Sequence, residues 1–156
     1  MIRDVLLHPH PLLTRRAEPA TDPGRVVADL LDTMRSFGHC VGIAAPQIGE
    51  SVRVAVVDCT GHRKAPDAHG ELILVNPVIV AAEGSEVGRE GCLSIPELTA
   101  NVRRATAIAV EAEGVRVEAE GFEARVIQHE IDHLDGLLFL DRVESLEADV
   151  FRRMRR

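Results

Sequence analysis

The 156-residue sequence predicts an α+β fold: mainly antiparallel β-sheet packed around a central helix, with one further helix toward each end. Three observations carry this. Strand-like runs follow one another without the regular alternation with helices that a parallel sheet requires. An amphipathic helical pattern precedes them, and a second one, holding His129-Glu130-Ile131-Asp132-His133, comes after them. No repeat, low-complexity stretch or linker divides the chain, so residues 1–156 are read as a single domain.

In chain order, Asp22-Pro23 reads as an N-cap followed by Pro at the first helical position. Val26, Val27, Leu30, Leu31, Met34 and Phe37 then recur at helical spacing until Gly38 stops the helix. A loop from Gly42 to Gly49 follows. Strands are expected at Val52–Val57, Leu72–Val75 and Val78–Ala81, then at Ala105–Ala112 and Val115–Ala119 around a Glu113-Gly114 hairpin turn. The central helix fits Glu123–Leu134, with Gly136 just past its end. A short last helix fits Leu146–Met154, capped by Ser145.

Composition narrows the function. Hydrophobic residues make up 46% and charged residues 28%, which excludes a disordered tail. No apolar run approaches the roughly 20 residues of a membrane span. Early Asp4, with Pro9 and Pro11 behind it, fits neither a secretory nor a transit segment, so the expected address is the cytoplasm. Cys40, Cys59 and Cys92 are too few and too scattered for a disulfide framework. A net charge of −7 argues against DNA as a partner. The local exception is Arg152, Arg153, Arg155 and Arg156. These residues either contact phosphates or complement the dipole of a terminal helix.

The sharpest chemical signal is the H-E-x-x-H run. Two histidines four apart share one face of a helix, so both imidazoles reach one ion, and Glu130 directly after the first is placed as a general base. A catalytic site of this kind has a third protein ligand and an open position. Six residues beyond His133 stands Phe139 in place of a third His, and the downstream acids Glu144 and Glu147 fall at or in the short last helix, so the third ligand is expected upstream. Cys92, in Glu90-Gly91-Cys92-Leu93-Ser94-Ile95-Pro96, is the best candidate. Pro96 excludes a central helix there and puts the sulfur in a turn or edge strand. In Gly42-Ile43-Ala44-Ala45-Pro46-Gln47, small residues admit a close ligand and the Gln47 amide offers a donor to an oxyanion.

Together these segments resemble the peptide deformylases. The family's loop G-x-G-φ-A-A-P-Q reads here Cys40-Val41-Gly42-Ile43-Ala44-Ala45-Pro46-Gln47; its E-G-C-L-S is Glu90–Ser94; its Q-H-E-x-D-H-L-x-G is Gln128–Gly136. The resemblance implies Cys92, His129 and His133 as ligands of one divalent ion, Fe²⁺ in cells, with Zn²⁺, Ni²⁺ or Co²⁺ as other occupants. It implies Glu130 as general acid and base, and Gln47 with the Leu93 N–H as oxyanion hole. Backbone groups around Val41, Gly42 and Gly91 would hold an N-formylmethionyl nascent peptide as an added strand. A transient ribosome contact by the basic end is consistent with such a substrate. Cys40, where the family pattern has Gly, means either that no positive φ is needed there or that the loop is rearranged. It keeps a second reading open: a specialised or catalytically weakened relative.

Phe122, Arg125 and Val126 lie on the His129 face of the helix and, with Val41, are candidate walls for an unbranched apolar side chain. Phe122 and Val126 fit ordinary core packing equally well, and Arg125 fits as an aliphatic stem. Glu90 is expected to pair with Arg104 and brace the Cys92 loop.

Overall fold

The computed structural model describes residues 1–153. Helix α1 (Gly24–Ser36) leads to β1 (Gly42–Ala44), a 3-10 turn at Ala45–Ile48, and strands β2 (Val54–Asp58) and β3 (Glu71–Val75). Then come β4 (Val78–Glu83), β5 (Glu86–Cys92), β6 (Ile95–Arg104), β7 (Ala107–Ala112) and β8 (Val115–Glu120). Helix α2 (Gly121–Leu134), the short α3 (Leu146–Asp149) and β9 (Val150–Arg152) complete the described chain. The strands form three antiparallel sheets of three: β1-β2-β3, β4-β7-β8 and β5-β6-β9. This is the predicted α+β class.

Helix α2 lies against β1, β2 and β8. Its Ala124, Val126, Ile127 and Ile131 join Val57, Leu74, Val110 and Val117 in one buried cluster, so sheet residues from two sides hold the helix. Helix α1 buries Val26, Leu30 and Met34 against Ile43, Val54 and Val56. Gly136, at φ +78°, ends the α2 segment. A Cβ there would come within 2.8 Å of the Thr14 carbonyl oxygen, so only glycine fits.

Several boundaries differ from expectation. Pro23 is already in helical conformation, and the Val27 N–H donates to its carbonyl at 2.9 Å. The helix therefore starts without an Asp22 side-chain cap. The chain leaves α1 at Phe37, which is extended, one residue before Gly38. The loop after Gly42 is ordered as β1 and a 3-10 turn.

Two corrections are larger. Strands β5 and β6 fill a stretch where only a turn or edge strand at Cys92 was expected; β5 is that edge strand, but the length of the pair was not foreseen. Their inward positions include Glu90, Cys92 and Arg104, so the alternation of an ordinary half-buried strand is hidden. The expected terminal helix Leu146–Met154 stops at Asp149, and Val150–Arg152 pairs with Leu98–Ala100 of β6 instead. The Ser145 cap is present, its hydroxyl accepting from Ala148 N–H at 3.1 Å. β-branched Val150 and aromatic Phe151 suit a strand, and the β6 edge supplies their backbone partners. Met154, Arg155 and Arg156, the end of that expected helix and part of the basic cluster, lie outside the described residues.

Candidate functional site

Helix α2 presents His129 and His133 one turn apart, and the end of β5 brings Cys92 to them. Glu90 and Cys92 point inward from β5 while Arg89 and Gly91 face out, as the two-residue period of a strand demands. Cys92 Sγ lies 3.4 Å from His133 Nε2, and one ligand atom from each of the three residues falls within 4.8 Å of the others. Tetrahedral ligands at ordinary metal–sulfur and metal–nitrogen lengths stand about 3.5 Å apart. The donor set therefore fits one divalent ion. Its three members are those the sequence singled out.

Burial opposes charge on the Cys92 sulfur, but the neighbouring imidazoles outweigh it and hold the thiol well below its usual range. Burial would also lower His129, yet its hydrogen bonds to Cys92 and Glu90 raise it well above the usual imidazole value. His129 Nδ1 sits 2.9 Å from Glu90 Oε1, which leaves Nε2 for an ion. Nδ1 of His133 is buried with no partner among the described residues.

Glu130 is 4% exposed and its Oε1 has no hydrogen-bond partner among the described residues. Burial raises its carboxyl above the ordinary range. Its other oxygen closes on β1: a Cβ at Gly42 would stand 2.8 Å from Glu130 Oε2 and 3.0 Å from Val126 Cγ1. Gly42 is what lets strand and carboxylate share that space. Gln47 is held from both sides. Its Oε1 accepts from Ala44 N–H at 3.0 Å, and its Nε2 donates to Ser94 Oγ at 3.1 Å and toward Cys92 Sγ at 3.5 Å.

Two backbone bonds from the N-terminal segment steady these loops, Leu6 N–H to Gln47 O at 2.7 Å and His8 N–H to Ser94 O at 2.8 Å.

A cavity of about 650 Å³ opens over this group. Val41, Gly42, Gln47, Gly91, Leu93, Phe122, Arg125 and Val126 all line it, together with Cys92, His129 and Glu130. Phe122 stacks on His62 with ring centroids 4.2 Å apart. Cys40 also lines the cavity, and its thiol donates to Gly42 O at 3.2 Å. Its backbone has no positive φ, because Asn76 alone does among the described non-glycine residues. The loop needs no glycine at position 40.

The expected Glu90–Arg104 pair exists and is buried, with Arg104 Nε and Nη2 donating to the two carboxylate oxygens at 2.8 and 2.9 Å. Arg125 differs from the expected aliphatic stem. Its Nη1 donates to Glu90 Oε2 and to Val102 O, each at 2.8 Å, and its Nη2 to Glu86 O at 2.9 Å. Arg104 also reaches Asp132 at 2.5 Å, and Arg142 chelates the same carboxylate. Sequence reasoning missed Asp132, Arg142 and Ser94. Asp132, a further acid between His129 and His133 on the same helix turn, was the available signal for the first two.

The sequence matches the family model described as polypeptide deformylase over residues 2–149. It is 39% identical to the peptide deformylase of Acidobacterium capsulatum, across 100% of this chain and 95% of that protein. With the peptide deformylase of Heliobacterium modesticaldum it shares 43% identity, covering 92% of this chain and 95% of the relative. The crystal structure of a peptide deformylase from Legionella pneumophila superposes with a TM-score of 0.84 at 36% identity, over 94% of this chain and 89% of that one.

Proposed function

The chain belongs to the polypeptide deformylase family, and from that premise we propose how its own residues divide the hydrolysis of the N-formyl group from formyl-methionyl peptides. Cys92, His129 and His133 would hold the ion: Cys92 through Sγ, His133 through the Nε2 that faces that sulfur, and His129 through the nitrogen that Glu90 leaves free. A divalent cation bound there acidifies water and polarises the formyl carbonyl. We take iron(II) as the cellular ion, with nickel(II), cobalt(II) and zinc(II) able to use the same donors.

Glu130 takes the proton from the attacking water on its unpartnered Oε1 and passes it to the departing amine nitrogen. Its burial supports this role, because a carboxyl raised toward neutrality is better able to give the proton back. As the formyl carbon becomes tetrahedral, Gln47 Nε2 and the Leu93 N–H donate to its oxygen; one such donor is typically worth about 3–4 kcal/mol. Val41, Gly42 and Gly91 offer backbone to the peptide as an added strand. Phe122 and Val126 form the apolar wall for the methionine side chain, and Arg125 acts from behind by fixing Glu90.

Among the described residues no helix is long and apolar enough to cross a membrane. We place the reaction in the cytoplasm, where a reducing milieu keeps the Cys92 ligand available and nascent chains are met. A transient ribosome contact through exposed Arg152 belongs to the same proposal.

The single observation that carries the mechanism is the unpaired, buried Glu130 oxygen beside a three-donor cluster. Glu130→Gln should lower kcat for formate release from formyl-Met-Ala-Ser by about 10²–10⁴-fold while metal content stays at the wild-type level. Wild-type turnover at full metal occupancy would remove Glu130 from the role.

A further inference from the structure

The cavity has a buried end at Cys92, His129 and Glu130 and an exposed margin on the side of Arg89, Pro96 and Arg153. A peptide whose formylated end sits at the buried end must leave across the margin. In a chain of net charge −7, the carboxylates that line the cavity, Glu90 and Glu130, are both buried. The fully charged side chains exposed along it are two arginines.

These two arginines are not equivalent. Arg89 is occupied: it lies 4.0 Å over the Phe151 ring and donates to Asn101 Oδ1 at 3.1 Å and Thr99 Oγ1 at 3.3 Å. Arg153 has no ion pair or side-chain hydrogen bond among the described residues. Its backbone is nonetheless fixed, its N–H donating to Glu97 O at 2.7 Å just after β9. Its guanidinium lies against Gly91, where an added Cβ would run into it. Strand β9 thus ends by setting a cation, without a charged partner among the described residues, on the outer face of the strand proposed to hold the peptide.

We propose that Arg153 is a specificity-determining residue that favours formyl-methionyl peptides carrying a carboxylate within the two residues after the methionine. The inference rests on the deformylase reading above. The added contact is remote from the formyl carbon and alike in ground and transition states, so it acts on KM and leaves kcat alone. A guanidinium in water gains little from such a pair, which sets the scale of the effect at about two- to five-fold.

The test compares kcat/KM for formyl-Met-Glu-Ala with formyl-Met-Gln-Ala, and for formyl-Met-Ala-Glu with formyl-Met-Ala-Gln, using the metal-loaded enzyme at low salt. At least one Glu/Gln ratio should stand at about two to five in the wild type and fall toward one in 0.5 M salt. It should also fall to about one in Arg153→Ala, persist in Arg153→Lys and Arg152→Ala, and invert in Arg153→Glu. Ratios of one throughout the wild type, a ratio unchanged in Arg153→Ala, or one lost equally in Arg152→Ala would overturn the assignment while leaving the deformylase reading intact. Absence of formate from all four peptides would overturn that reading, and this inference with it.

Discussion

Sheets β5-β6-β9 and β4-β7-β8 have the same size and the same antiparallel pairing, yet their inner faces are built from opposite materials. The inner face of β7 and β8 is Ile108, Val110, Val117 and Ala119, packed on α2. The inner face of β5 and β6 presents Glu90, Cys92 and Arg104 beside Ala100 and Val102. An apolar face needs only volume, and neighbouring methyl groups share any loss. A polar face needs each group matched: Glu90 answers two arginines and one imidazole, and Asp132 answers Arg104 and Arg142. The β5-β6-β9 sheet therefore orients the candidate ligands, and it does so with groups that are expensive to lose singly.

The largest effect that would sharpen this contrast is at Glu90. Burial alone would raise its carboxyl, but Arg104 and His129 hold it far below the usual range. Glu90→Gln leaves two buried guanidiniums short of a charge and should lower unfolding free energy by about 3–5 kcal/mol. With the His129 Nδ1 partner weakened, metal affinity should fall by about 10–100-fold. Urea denaturation and metal titration measure the two. A loss below 1 kcal/mol would mean that the polar face is no more demanding than the apolar one.

Val110, fully buried in β7, is the matching probe of the other sheet. Val110→Ala removes two methyl groups and should lower stability by about 2 kcal/mol, with metal affinity unchanged. If metal affinity falls as it does for Glu90→Gln, the division of labour between the sheets is wrong.

Cys40 should give the smallest change. Its thiol makes one weak hydrogen bond to Gly42 O, and burial pushes it up to about 12, so it is neutral at pH 8. Cys40→Ala should change stability by less than about 1 kcal/mol. Alkylation of native Cys40 by iodoacetamide at pH 8, followed by mass spectrometry, should run at least about a hundred-fold slower than in the unfolded chain. Equal rates would put the thiol in a solvated place and break the comparison at its weakest member.

The same contrast explains what the sequence made legible. Helix α2 and the β7–β8 hairpin follow hydrophobic periodicity, so they could be read directly, and the Cys92, His129 and His133 donor group was assembled from two histidines lacking a third donor. Strands β5 and β6 carry a two-residue period too, but in charge and sulfur, with Gly88 and Gly91 adding to the disguise. The Glu90–Arg104 pair was legible as a pair. The parts of the network that cross the fold, Arg125 onto Glu90 and Arg142 onto Asp132, depend on which faces meet. The C-terminal strand was misread for a related reason. Its helical reading came from local spacing, whereas its strand state comes from a free edge of β6 about fifty residues earlier, and such edges complete their hydrogen bonds with whatever extended chain is near.

The two backbone bonds from Leu6 to Gln47 and from His8 to Ser94 have a consequence in time. They join the start of the chain to loops 41 and 86 positions away, as counted from the partners themselves, and Cys92 meets His133 across a separation of 41. Loop-closure entropy must be overcome before such distant contacts return anything, and native topologies of this kind assemble late. During refolding, helical signal from α2 can return before the donor cluster is framed, and catalytic competence would be among the last properties to appear. The recovery of turnover is then a clock for the completion of the whole fold, set by the docking of the Leu6–His8 segment and of helix α2.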